Sequence, residues 1–181
     1  VGPNSSGSQF INVEFDGGTG ARSRQFSFTS MFSVHNTKNI IVQNSSFKNN
    51  SLYDDVLHLV YCDSVLLKDL VFKNAFGDAI DIDISKNIKV VGSKFNNSVN
   101  DAIDLMQSNV LIENNFINFS GDKGISIGEG TIARINNNKF VKNDLAVAIK
   151  DGSRAEILNS KFLNNKKEIH AYKKNWQYGS G

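Results

Sequence analysis

Only one cysteine and one proline occur in 181 residues. A single thiol excludes an internal disulfide framework and a zinc site built on several cysteines. Charge of one sign is also lacking. Lys and Arg total 20 and Asp and Glu 18, a net +2, which argues against a strongly basic nucleic-acid footprint. No run of eighteen apolar residues exists, so no helix of this chain is expected to span a bilayer. Charged residues make up 21% and hydrophobic residues 40%, a balance that excludes general disorder and suffices for one domain with a core. The sequence starts at Val1 without a charged segment followed by an apolar one, so no signal peptide is read in it. Gly2 to Ser8 and Gly179 to Gly181 read as linkers, and other domains of a longer chain are the expected neighbours.

What is abundant is asparagine, 24 residues in all. Its placement follows a repeat. Large apolar residues recur at Phe15, Phe47, Phe72, Phe95, Ile117, Phe140 and Phe162, at intervals of 32, 25, 23, 22, 23 and 22. Five positions before each stands another apolar residue, from Phe10 and Val42 to Ile135 and Ile157. Three positions before each stands Asn12, Asn44, Asp69, Gly92, Asn114, Asn137 or Asn159. Asn, Asp and Gly enter the left-handed backbone region most cheaply, so a turn is expected at this point of every repeat, with asparagines stacked along it. A second strand shows in the pairs Phe32/Val34, Leu57/Leu59, Ile80/Ile82, Ile103/Leu105, Ile125/Ile127, Val147/Ile149 and Ile169/Ala171.

Two short strands in some 22 residues leave no room for a helix. The expected fold class is all-β: a single-stranded right-handed parallel β-helix of about seven coils, each coil too small to bury its own apolar face. Residues 1–30 are expected to hold an N-terminal coil, a loop from 16 to 30 and a possible cap. The β-helix coils should occupy 31–172, and 173–181 should form a cap or linker, with Trp176 and Tyr178 over the last coil. Cys62 reads as a small core residue.

The alternation Ile88-Lys89-Val90 followed by Phe95, with its Asn-rich turns, resembles the right-handed parallel β-helix proteins of the pectin-lyase-like type. The resemblance spans roughly residues 8–172. It implies an extracellular or cell-surface protein that meets polysaccharide. A narrower likeness links Gly77-Asp78-Ala79-Ile80-Asp81-Ile82, Asn100-Asp101-Ala102-Ile103-Asp104-Leu105 and Asp122-Lys123-Gly124-Ile125-Ser126-Ile127-Gly128 to the polygalacturonase-type glycoside hydrolases. By that likeness Asp78 and Asp101 match catalytic acids. Asn100 stands where a further acid is found in that family, and Lys123 where a histidine is found. Lyases of the same fold use Ca²⁺ and a basic residue as proton abstractor, a role that would fall to Lys123.

The outward residues between the inward pairs make a column: Ser33, His58, Asp81, Asp104, Ser126, Ala148 and His170. Asp83 lies two positions beyond Asp81, and Asp55, Asp78, Asp101 and Asp122 lie just before the strands. Carboxylates stacked about 5 Å apart repel, raise one another's pKa or attract a cation. Asp is also a common turn residue, so Asp78 and Asp101 have a structural reading, whereas Asp81 and Asp104 stand mid-strand, where Asp is disfavoured. The candidate catalytic residues are therefore Asp81, Asp104, Asp78, Asp101 and Lys123. The candidate metal ligands are His58, Asp81, Asp83 and Asp104, with His35 nearby. No cofactor is fixed by the sequence, and Ca²⁺ is the one it suggests. The expected partner is a polysaccharide or glycan engaged through the Asp81/Asp104 face, with binding and cleavage both open. A rigid accessory module without a ligand is the structural alternative.

Overall fold

Each repeat of about 22 residues turns three corners. The computed structural model describes residues 1–22 and 27–181. Three parallel sheets of seven strands each run the length of the chain, and every strand pairs with its counterpart one repeat away. One repeat contributes Ile88–Val91 to the first sheet, Lys94–Ser98 to the second and Ile103–Met106 to the third. The expectation of two strands per repeat is thus corrected to three. The Phe column is itself the centre of the second sheet: Phe15, Phe47, Phe72, Phe95, Ile117, Phe140 and Phe162 are register partners in that order. Most of its strands carry a single inward apolar residue, so no alternation betrays them in sequence.

All inward columns converge on one core. Phe47, Phe72 and Phe95 are wholly buried or nearly so, and their rings stack at 5.1 and 4.9 Å. Val42, Leu67, Val90, Ile112 and Ile135 face them from the first sheet, and Leu57, Ile80, Ile103 and Ile125 from the third. Cys62 belongs to this core, and its Sγ donates to the Val34 carbonyl at 3.2 Å.

The corners explain the asparagines. Every residue of the expected turn column has a positive φ, from 50° at Asn44 and Asn159 to 67° at Gly92. Asn137 Nδ2 donates to Asn114 Oδ1 along that column. One position later stands a buried polar ladder. The backbone N–H of Leu70 donates to Ser93 Oγ, that of Ser93 to Asn115 Oδ1, that of Asn115 to Asn138 Oδ1, and that of Asn138 to Ser160 Oγ. Ser85, Ser108, Thr131 and Ser153 do the same at another corner, and Asn143 and Asn165 at the third. Each side chain satisfies a backbone donor that no sheet reaches, so these buried polar residues serve the corners.

The long first interval holds an antiparallel pair of Ala21–Arg22 and Ser27–Phe28; residues 23–26 of the expected loop lie outside the described residues. At the other end the structure departs from the reading of Trp176 as a cover. That residue is 81% exposed, and Ile169 in the last strand remains 49% exposed. The terminal segment runs back along one corner instead. The backbone N–H groups of Lys174 and Asn175 donate to Asp151 Oδ1, and Gln107 Nε2 donates to the Tyr178 hydroxyl at 3.3 Å.

Candidate functional site: an acidic face with an embedded histidine

The outer face of the third sheet carries the candidate residues. Its register places Ser33, His58, Asp81, Asp104, Ser126, Ala148 and His170 side by side in successive coils. Asp83 pairs with Val60 and Met106 in the next outward column. At the start of the strands the sequence grouping needs one correction. Ile103 pairs with Ile125, so the position after Asp78 and Asp101 belongs to Lys123, and Asp122 is displaced by one. The repeat shortens from 23 residues to 22 at this point, which moves a neighbouring acid out of the column.

Asp78 and Asp101 are buried and bolt the coils together. Asp78 Oδ1 accepts the backbone N–H of Asp101 and the Nδ2 of Asn100, and Asp101 Oδ1 accepts the backbone N–H of Lys123. Lys123 is itself buried, with Nζ 3.4 Å from Asp101 Oδ1 and closer to Asp122. Burial works against its charge, but the hydrogen bond to Asp122 and the charges of Asp101 and Asp122 outweigh it and hold the ammonium above the usual lysine pKa. Its ammonium is held by Asp101 and Asp122, and the base role that the lyase likeness suggested would require it to give up its proton first.

His58 sits among acids, with a side chain only 13% exposed. Its Nε2 lies 3.3 Å from Asp81 Oδ2 and 3.2 Å from Asp83 Oδ2. Its Nδ1 lies 3.2 Å from Thr29 Oγ1 and 3.8 Å from Asp55 Oδ2. Thr29 Oγ1 donates to Asp55 Oδ2 at 2.8 Å. The ring of His35 meets that of His58 edge-on, with centroids 5.5 Å apart. The structure thus gathers His58, Asp81 and Asp83, and adds Asp55 and Thr29. Asp104 stays apart from the histidine and accepts the backbone N–H of Leu105. Asp55 was legible as a member of the face, whereas Thr29 precedes the first inward pair and carried no signal.

The electrostatics are those of carboxyls crowded out of water. Burial first, and the neighbouring charges next, raise Asp81 to about 9 and Asp78 to about 8. Burial also raises Asp55 and Asp101 to about 6 each, against the Thr29 hydrogen bond in the first case and the Lys123 charge in the second. At neutral pH this face therefore holds carboxylic acids beside carboxylates, the combination needed for proton donation and for hydrogen bonding to hydroxyl groups. Asp54, Asp55 and Asp78 offer oxygens within 4.8 Å of one another, a donor set of the kind Ca²⁺ takes. A separate groove of about 580 Å³ lies on the outer face of the first sheet, lined by Leu111, Glu113, Ile132, Arg134, Asn136 and Arg154, and contains none of the candidate residues.

Residues 30–177 match the family described as the right handed beta helix region. The chain belongs to this family. The right-handed β-helix expected from the repeat is thereby established, and the family embraces the whole candidate face except Thr29. No curated protein matches the sequence. Among solved structures, this β-helix is similar to the Streptococcus pneumoniae surface protein and adhesin PfbA, at 15% identity and a TM-score of 0.56, over 93% of this chain and 68% of that one. A second structure of that surface adhesin aligns at 14% identity and a TM-score of 0.51, over 80% of this chain and 47% of that one. The mannuronan C-5 epimerase AlgE4 A-module of Azotobacter vinelandii aligns at 12% identity and a TM-score of 0.48, over 81% of this chain and 62% of that one.

Proposed function

We propose that this β-helix engages a carbohydrate at a cell surface or outside the cell, through the outer face of its third sheet. The observation that carries the reading is the in-register alignment of His58, Asp81 and Asp104, flanked by Asp55, Asp78, Asp83 and Asp101. A solenoid held by packing and corner ladders gains nothing from acids in mid-strand, where they lose stability to burial and mutual repulsion. Half-buried acids that present both protonated and ionised oxygens suit the hydroxyl groups of a sugar, which donate and accept together. PfbA, of the same fold, is a surface adhesin, in keeping with a β-helix working at a surface. Asp81 and Asp104 are the residues assigned to the ligand, and Asp78 and Asp101 act through the backbone they hold.

The test is a panel of acidic and neutral polysaccharides offered to the wild type and to the Asp81→Asn/Asp104→Asn double variant. Retention of a glycan by the wild type alone supports a binding face. Reducing-end release by the wild type alone adds cleavage to it. Equal behaviour of both proteins on every glycan overturns the reading and leaves a ligand-free accessory module.

A further inference from the structure

We propose that Asp55, His58 and Asp81 form a site for a divalent transition-metal ion of the zinc class. Each of the three offers an atom within 4.8 Å of the others. Two donors bound about 2.1 Å from one tetrahedral ion stand about 3.4 Å apart, and His58 Nε2 lies 3.3 Å from Asp81 Oδ2. Asp83 Oδ2, 3.2 Å from the same nitrogen, borders the trio without belonging to it. Two carboxylates and an imidazole suit Zn²⁺ and its neighbours, whereas Ca²⁺ and Mg²⁺ prefer oxygens alone.

The hydrogen bonding around the ring sets the right nitrogen free. The Thr29 hydroxyl has one proton, and it goes to Asp55. At 3.2 Å its oxygen must then accept from His58 Nδ1–H, so Nε2, which faces Asp81 and Asp83, is the ring nitrogen that can exchange its proton for a metal ion. An imidazole fixed through one nitrogen while the other faces carboxylates is the arrangement of a metal-bound histidine, with Thr29 as the outer partner. A second observation comes from outside the ligand set. Among the described residues the His35 Nε2 atom is buried without a hydrogen-bond partner, and its ring packs on His58. A buried polar atom without a partner needs an explanation, and an ion or its bound water beside His58 is one. The site shares Asp81 with the proposed glycan face but does not depend on it, because metal binding is read without any glycan.

Metal-stripped protein is titrated with Zn²⁺ and with Co²⁺, and Cu²⁺-loaded protein is examined by electron paramagnetic resonance for nitrogen hyperfine coupling. The expected result is one ion per chain, imidazole coupling, and no displacement by a large excess of Ca²⁺. His58→Gln should weaken binding by more than the ~10–100-fold that loss of an outer partner costs. His170→Gln, an exposed histidine of the same column, should leave binding unchanged. Absence of binding, absence of nitrogen coupling, displacement by equimolar Ca²⁺, or unaltered affinity in His58→Gln would each overturn the site. Should His58→Gln fail to fold, the copper spectrum of the wild type and the affinity of Asp81→Asn decide the matter.

Discussion

Asp78 Oδ1 takes the backbone N–H of Asp101 at 2.7 Å, one coil further along the solenoid. The bond makes Asp78 a fastener between coils before it is anything else. Asp78→Ala should therefore leave a buried donor without a partner and cost about 1–3 kcal/mol. Asp78→Asn retains an acceptor at the same place and should cost much less. Urea denaturation of both variants checks this, and equal losses would show that the bond is not what matters.

Stability should fall as the solution becomes more alkaline. Asp55 and Asp101 are raised to about 6, Asp78 to about 8 and Asp81 to about 9, all above the carboxyl values of an unfolded chain. The folded state then binds more protons than the unfolded state between about pH 4 and 9, so the slope of unfolding free energy against pH is negative there. The stability is complete below the unfolded pKa and is lost as pH climbs through the folded values. Melting temperatures at pH 5, 7 and 8.5 should descend in that order. Asp81→Asn should remove part of the descent and raise the melting temperature at pH 8.5 most. An ascending series would refute the crowding of acids on this face.

The repeat was legible because it is chemical as well as periodic. Asn12, Asn44, Asp69, Gly92, Asn114, Asn137 and Asn159 all adopt the left-handed backbone that their side chains tolerate. The pairs Ile80/Ile82 and Ile103/Leu105 alternate cleanly and gave the third sheet its register. The second sheet was not legible, since strands such as Ser46–Lys48 bury one residue only. Of the candidate site, the His58, Asp81 and Asp104 column could be read by counting. The approach of Thr29 to His58 could not, because it crosses from one coil to the next through a loop whose length no periodicity fixes. Asp122 misled for a related reason: an acid one place out of register looks like an acid in register when repeats vary between 22 and 23.

The phenylalanine stack should reveal where the core is closed. Phe72 is sandwiched between Phe47 and Phe95, with nearly parallel rings on both sides. Among the described residues Phe162 stacks on Phe140 alone, and it is only partly buried. Phe72→Ala should cost about 3–5 kcal/mol, the usual range for a buried aromatic. Phe162→Ala should cost clearly less, because solvent already reaches one side of its ring. Guanidinium midpoints of the two variants test the ordering, and a larger loss for Phe162→Ala would mean that the last coil is more tightly enclosed than its exposure indicates.

Lys123 and Asp101 should prove coupled, and the coupling should depend on pH. Lys123→Met removes the ammonium beside a carboxyl that is almost wholly buried, and breaking such a pair costs about 3–5 kcal/mol. Asp101→Asn in the same protein removes the stranded charge while keeping an oxygen for the backbone N–H of residue 123. The double variant should then be more stable than Lys123→Met alone, with a coupling of about 0.5–3 kcal/mol. Lys123 is what lowers Asp101 toward 6 against its burial, so its loss lets Asp101 hold its proton to higher pH. Near pH 5 the acid is already largely neutral, and the cost of Lys123→Met should shrink there. A thermodynamic cycle measured at pH 5 and pH 8 separates this from simple loss of packing by the lysine stem, which would cost the same at both.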